Sequence, residues 1–231
     1  MPVQGLAASY RSFVNALKLR TQAGMQAHIA LLTPGPYSQT YFEQAYLARY
    51  LGFMLVEGDD LVVRDGIVFV RTIAGLKRAD VLWRRVDADW CDPLEFNAAS
   101  RIGVPGLMHA IRNKSVAVGN MPGAGLMESR ALMGFAPAHC ARLLGEDLRL
   151  PNIATWWCGQ ESERAHVRAH ADRMMIGEAL STRMLFDSED KTSLGATLQA
   201  QKVGVSDMLD ARGPMLVGQE AVTLSTAPVL S

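Results

Sequence analysis

The chain has 231 residues, 49% of them apolar and 20% charged, which places it in the globular class with enough apolar surface for a sizeable core. Lys plus Arg and Asp plus Glu both number 23, so the formal net charge is zero. That balance argues against a nucleic-acid binder working by phosphate neutralisation and against a polybasic membrane-surface module. Residues 5–19 repeat Leu6, Tyr10, Phe13, Val14 and Leu17 at spacings of three and four, a helix pattern. His28–Leu32, closed by Thr33-Pro34-Gly35-Pro36, reads as a buried strand. Residues 40–51 read as a helix stopped by Gly52, and Phe53–Val56 as the next strand, so the opening is a βαβ unit with parallel pairing.

Leu61–Arg64 and Ile67–Val70 flank Asp65-Gly66, a two-residue hairpin signal. Asp80–Val86 gives a strand, Val104–Arg112 a helix and Val116–Gly119 a strand left through Asn120-Met121-Pro122-Gly123-Ala124-Gly125. A helical region over 128–144 is expected to break at Pro137, which suits the first turn of the second piece. Leu150–Gln160 reads as a linker or a buried edge, Glu161–Asp172 as a polar helix, and Arg173–Ile176 as a strand. Leu185–Gly213 is polar and poorly patterned; Met215–Val217 and Ala221–Leu224 look like strands. The order implies an α/β layer structure with a smaller second part. Residues 1–25 are expected to form an N-terminal helix and linker, 26–150 an α/β domain, and 151–231 a partial second domain.

Three isolated cysteines (Cys91, Cys140 and Cys158) make no CxxC pair and no complete disulfide framework. No apolar run reaches the length of a membrane span and no signal-peptide pattern opens the chain, so a cytoplasmic protein is expected. Cys91 and Cys140 read as buried small apolar groups rather than nucleophiles. His166 and His170 share a helix face without an HExxH pattern, which reads as a solvated face; no metal site is expected.

In open α/β sheets ligands bind beyond the carboxyl ends of the strands. Three loops qualify. Thr33 and Gly35 sit in the Pro-Gly turn after the first strand, which is equally readable as a simple turn. Asn120, Gly123 and Gly125 form a glycine loop that lets the backbone approach an anion but lacks the Lys-Ser/Thr of a phosphate-binding loop. Arg84, Arg85 and Asp87 offer guanidinium groups for phosphate or carboxylate, or form an internal ion-pair network. The dinucleotide fingerprint GxGxxG is absent, against a Rossmann oxidoreductase.

Several stretches resemble the type-2 circularly permuted ATP-grasp family. They are Leu31-Leu32-Thr33-Pro34-Gly35-Pro36-Tyr37, Leu55-Val56-Glu57-Gly58-Asp59-Asp60-Leu61, Arg84-Arg85-Val86-Asp87, Thr155-Trp156-Trp157-Cys158-Gly159-Gln160 and Leu224-Ser225-Thr226-Ala227-Pro228. The family is related to the ATP-grasp domain of glutathionylspermidine synthetase. The resemblance implies a pre-ATP-grasp-like parallel or mixed sheet flanked by helices, followed by a partial ATP-grasp lid. It implies ATP and Mg²⁺ as cofactors, and ligation of a small-molecule or peptide carboxylate to an amine through an acyl phosphate. Met215–Glu220 resembles the hinge strand near adenine, which points to Gln219, Glu220 and Val222 for nucleotide contact. Thr33, Gly35, Arg84, Arg85, Asp87, Asn120, Gly123 and Gly125 are then candidate substrate or phosphate contacts.

Two departures stand out. Met174-Met175-Ile176-Gly177-Glu178-Ala179 matches a family strand that carries a lysine for the phosphates, and Gly177 takes the lysine's place. The Glu-Asp-Asn segment that resembles the family's Mg²⁺-ligand strand has no counterpart before Leu31, so no metal ligand is carried over and no catalytic residue is assigned. Phosphoryl transfer rests on positioning and cationic stabilisation. The expectation is therefore a truncated ligase, inactive alone; the alternative is a non-catalytic binding or assembly module acting with a partner chain that supplies the missing strand.

Overall fold

The structure is a computed structural model that describes residues 5–182, 192–200 and 204–222. The chain divides into two compact units, Met1–Gly123 and Ala124–Ser231. The 26–150 span expected as one domain runs across this division.

In the first unit, β1 (Ile29–Leu32), β2 (Met54–Val56), β6 (Val81–Arg84) and β7 (Ala117–Gly119) form a parallel sheet in the order β2-β1-β6-β7. All four residues of β1 are buried, which fits a central strand covered on both faces. Its period-two alternation divides them between two cores. Ile29 and Leu31 pack with Leu17 of α1 (Ala7–Lys18) and Ala48 of α2 (Tyr41–Leu51). Ala30 and Leu32 pack with Leu107, Ala110 and Ile111 of α3 (Leu107–Arg112) on the other face. That second core is closed by an antiparallel meander of β3 (Leu61–Arg64), β4 (Ile67–Thr72) and β5 (Gly75–Arg78), which buries Leu61, Val68 and Val70.

The Asp65-Gly66 hairpin forms as expected, both residues at positive φ (50° and 71°), the backbone that a two-residue turn between twisted strands requires. Strand β5 is absent from the sequence reading because all four of its residues are exposed and carry no apolar alternation. Helix α2 presents Phe42, Tyr46 and Tyr50 to solvent and buries Gln44 and Ala48, so its aromatic stripe is not its core face.

In the second unit, α4 (Arg130–Met133) and α5 (Ala136–Leu144) are separate helices, with Pro137 in the first turn of α5 as the sequence predicts. β8 (Thr155–Trp157), β9 (Met174–Glu178), β10 (Ser193–Leu194) and β11 (Leu216–Glu220) make an antiparallel sheet ordered β10-β9-β11-β8. One face packs Met174, Ile176 and Leu216 against Val167 of α6 (Glu161–Ala169) and Leu209 of α8 (Val205–Arg212); α7 (Gly195–Ala200) follows β10 directly. The other face carries Trp157, Val217 and Ala179 against Ala131 of α4. The molecule is thus a mixed α/β protein with parallel and antiparallel sheets flanked by helices.

Of the two readings of 150–160, a linker or a buried edge, the edge stands: the segment contains the half-buried edge strand β8. Three expectations change. The two strands read over 215–217 and 221–224 are one strand, Leu216–Glu220; Ala221 and Val222 lie past its end, and residues 223 and 224 fall outside the described residues. The described part of the poorly patterned 185–213 region holds β10, α7 and α8. His166 is not on a solvated face: it stacks on Trp156 at 4.5 Å and meets His170 at 4.4 Å between ring centroids. Among the described residues no helix is long and apolar enough to cross a membrane.

Candidate functional site

Parallel pairing brings the carboxyl ends of β2, β1, β6 and β7 to one edge of the first unit's sheet, and the loops leaving them carry Glu57, Thr33 to Gly35, Arg85 to Asp87 and Asn120 to Gly123. Thr33 is buried. Its Oγ1 donates to Oε1 of the buried Gln44 at 2.5 Å and accepts the Gly35 N–H at 3.2 Å. Gln44 in turn donates to the Thr40 hydroxyl at 2.8 Å, so this network ties the loop to α2. Gly35 has φ +97°, a backbone that favours glycine, and a Cβ there would lie 3.0 Å from Glu57 Oε2. Glu57 also caps the turn that follows it, its carboxylate accepting a backbone N–H while Asp60 Oδ2 accepts the Glu57 N–H at 2.9 Å. Thr33, Pro34, Glu57, Gly58, Asp59, Arg101 and Ile102 line a cavity of about 30 Å³, room for one water-sized polar group.

The two arginines differ in what they can do. The Arg84 guanidinium braces the loops around it: Nε donates to the Asn120 carbonyl at 2.8 Å and Nη1 to the Val86 carbonyl. Asn120, at φ 60°, returns a bond from Nδ2 to the Arg84 carbonyl at 3.3 Å. Arg84 and Asn120 therefore splice the ends of β6 and β7. Arg85 lies 4.0 Å from Glu43 on α2, with its side chain 31% exposed, and remains a candidate for a carboxylate or phosphate. Asp87 is exposed and its side chain caps nothing. Gly123 has open space around it. Gly125 belongs to the second unit and is also uncrowded.

At the opposite ends of β6 and β7 a hollow of about 1100 Å³ is lined by Arg20, Arg78, Asp80 and Lys114 among others. Asp80 is already engaged there: it accepts the His28 N–H at 2.9 Å and pairs with Arg78 at 3.0 Å.

In the second unit the sheet face beneath α4 carries Thr155, Gly177 and Gln219 as well as its apolar residues, since cross-strand pairs share a face. Gln219 is buried, and its Nε2 donates to Thr155 Oγ1 at 3.1 Å. Strand β11 lies between β9 and β8, so its backbone groups are committed to the sheet; the Glu220 N–H bonds the Ala154 carbonyl at 3.0 Å and the Ala221 N–H the Arg173 carbonyl at 3.2 Å. Glu220 and Val222 themselves are exposed. Missed in the sequence are Ser129 and Arg130, both buried on this side of the sheet. Arg130 Nη1 donates to Thr192 Oγ1 at 2.5 Å, and the Ser129 hydroxyl is buried without a hydrogen-bond partner. A short helix opening on Arg reads from sequence as surface.

Among the described residues no group of three His, Cys, Asp or Glu side chains is gathered to hold a metal ion. The unpartnered Ser129 hydroxyl of the second unit could donate to a phosphate oxygen, which accepts hydrogen bonds only.

Burial pushes the Cys91 thiol up and the Cys158 thiol up to about 11, where the thiolate is scarce at neutral pH. Cys140 is only half-buried. At pH 8 the folded chain is expected to give one fast-reacting thiol with a colorimetric disulfide reagent, Cys140, and two that react at the rate of unfolding; three equally fast thiols would contradict the buried placement.

These features define a two-unit α/β protein with polar strand-end loops in one unit and a polar antiparallel sheet face in the other. The chain belongs to the circularly permuted ATP-grasp type 2 family, whose model matches residues 1–231. It is 42% identical over 201 residues to an uncharacterized protein of Mycobacterium tuberculosis (strain ATCC 25618 / H37Rv), covering 87% of this chain and 22% of that protein. It is 40% identical over 151 residues to an uncharacterized protein of Synechocystis sp. (strain ATCC 27184 / PCC 6803 / Kazusa), covering 65% of this chain and 31% of that one. The chain thus spans about a fifth to a third of the length of these curated relatives. A solved structure described as ATP-grasp ligase PsnB complexed with minimal precursor is similar at 15% identity and a TM-score of 0.46, covering 85% of this chain and 65% of that chain.

Proposed function

We propose that this chain is part of a cytoplasmic ATP-dependent carboxylate–amine ligase of the glutathionylspermidine synthetase-like kind, acting on small-molecule or peptide substrates. In such a reaction the terminal phosphoryl group of ATP passes to a carboxylate oxygen. The amine then attacks the acyl phosphate carbon, and inorganic phosphate leaves. Family membership over residues 1–231 carries the reading. In it Arg85, with the loops at Thr33, Gly35, Glu57 and Asp87, meets the carboxylate substrate. Arg84 and Asn120 hold those loops in register, Gly123 and Gly125 admit a phosphate to their backbones, and Gln219, Glu220 and Val222 lie toward the nucleotide.

The test is stabilisation by nucleotide. With 1 mM ATP and Mg²⁺ and a dissociation constant of about 10 μM, unfolding of the 231-residue chain is expected to cost about 2.7 kcal/mol more. No shift in the unfolding midpoint would remove the nucleotide from this chain's function. A second reading, a non-catalytic binding or assembly module completed by a partner chain, is favoured by Gly177 standing where the resemblance leads one to expect a phosphate-binding lysine. ATP binding without phosphate release by the chain alone, and release on adding the partner, would select it.

A further inference from the structure

We propose that the hollow at the amino-terminal edge of the first unit's sheet binds a small molecule carrying two or more anionic groups, phosphate or carboxylate, through Arg20 and Lys114. The hollow lies at the far ends of β6 and β7 from the strand-end loops and shares no residue with the cavity at Thr33. Its volume of about 1100 Å³ is that of a ligand pocket rather than a packing defect. The charges around it are unbalanced. Its carboxylate, Asp80, is already satisfied by Arg78 Nε at 3.0 Å and by the His28 N–H at 2.9 Å. Arg78 is anchored too, since it also donates to the Ser115 carbonyl at 3.2 Å. Among the described residues neither Arg20 nor Lys114 has an acidic partner or a side-chain hydrogen bond, so two positive charges on one concave surface stand uncompensated. A cleft lined by one sign of charge concentrates counter-ions. Two separate cations call for more than one anionic group on the ligand. The edges of Ile111, Val116 and Val118 reach the same hollow and suit a carbon skeleton between those groups.

The backbone at Lys114 is a second, independent observation. The Lys114 N–H bonds the Ile111 carbonyl at 2.9 Å and the Ser115 N–H bonds the Ala110 carbonyl at 3.2 Å. These are the paired bonds that close a helix when the chain turns left-handed just past its end. Lys114 makes that turn, with φ 55°, where glycine or asparagine ordinarily sits because a Cβ is crowded there. The end of α3 therefore carries a lysine at a position whose backbone favours glycine, and that lysine lines the hollow with an unpaired charge. The Ser115 hydroxyl, bonded to the Gly66 carbonyl and at 3.0 Å to the Ala110 carbonyl, ties the turn to the β3–β4 hairpin and keeps it in place.

Inorganic pyrophosphate and citrate are the probes. Each is titrated calorimetrically into the 231-residue chain while the backbone amides of Lys114 and Ser115 are followed by nuclear magnetic resonance. At least one probe is expected to bind and to shift those amides; pyrophosphate alone marks a phosphate ligand, citrate alone a carboxylate. Lys114→Gly and Arg20→Gln are each expected to weaken binding about tenfold, the worth of a hydrogen bond to a charged group. Arg49→Gln, which removes an exposed cation of α2 outside the hollow, is expected to leave binding unchanged. Lys114→Gly is also expected to raise the unfolding midpoint by about 2 °C, because glycine relieves the left-handed backbone, so its loss of binding is not a loss of fold. No binding by either probe, binding that leaves the Lys114 and Ser115 amides unmoved, equal weakening by Arg49→Gln, or wild-type affinity in both Lys114→Gly and Arg20→Gln would overturn the proposal.

Discussion

Replacing Asp92 with alanine is expected to destabilise the first unit by roughly 3 kcal/mol or more, because one buried carboxylate organises the whole approach to α3. Asp92 is fully buried; its Oδ1 accepts the N–H groups of Leu94 at 3.0 Å and Gly106 at 3.1 Å, and its Oδ2 that of Met108 at 2.8 Å. The residue just before α3, Gly106, has no side chain to cap the helix, so Asp92 performs the capping from fourteen residues upstream and places a negative charge at the positive end of the helix dipole. Alanine leaves the Gly106 and Met108 donors short of a partner in a half-buried place. Asparagine can keep the two bonds to Oδ1 but must aim an amide at the Met108 N–H, so Asp92→Asn is expected to fall between the two. Urea unfolding followed by far-ultraviolet circular dichroism reads the series. An alanine variant within 0.5 kcal/mol of wild type would show that the three bonds stabilise nothing.

How much of this could be read from the residues depends on whether the signal is local. The βαβ opening, the Asp65-Gly66 turn and the break at Pro137 are properties of neighbouring residues, and all three stand in the structure. The core face of α2 is not local in that sense. Phe42, Tyr46 and Tyr50 make the stronger periodic stripe, yet the Thr33–Gln44 hydrogen bond and the packing of Ala48 turn the other side inward. Helix α8 escaped because only Val205 and Leu209 of its eight residues are buried, too few to make a pattern among Ser, Asp and Arg.

The strand-end loops were legible for the same local reason, since Pro and Gly mark where strands end. What their side chains do was not legible: that the Arg84 guanidinium bonds two backbone carbonyls of the neighbouring loops follows only from the tertiary fold. The close approach of Arg130 and Thr192 to Gly177 was not legible either, since they meet only through the tertiary fold.

Gly103→Ala is expected to cost about 3 kcal/mol or more, at the upper end of what overpacking does, because every atom in the way is backbone. A Cβ at 103 would collide with the Trp90 carbonyl oxygen and stand 2.9 Å from the Cys91 carbonyl carbon. A flexible side chain could swing aside; these atoms cannot, because the Cys91 carbonyl accepts the Val104 N–H at 2.9 Å and the Trp90 carbonyl accepts the Ser100 hydroxyl at 2.6 Å. On its other side Gly103 meets a second glycine: a Cβ at Gly58 would lie 2.8 Å from the Gly103 carbonyl oxygen. Relief of the strain must therefore push the 100–104 segment toward the turn that follows Glu57. That turn shares Gly58, Arg101 and Ile102 with the small cavity at Thr33, so the variant is expected to disturb the strand-end loops as well as stability. Gly125→Ala is the control, with nothing within 4 Å of its Cβ position, and is expected to stay within about 0.5 kcal/mol of wild type. Equal stability of the two variants would mean that the 90–104 backbone yields freely, and the close approach of Gly58 and Gly103 would then have no part in holding the site's shape.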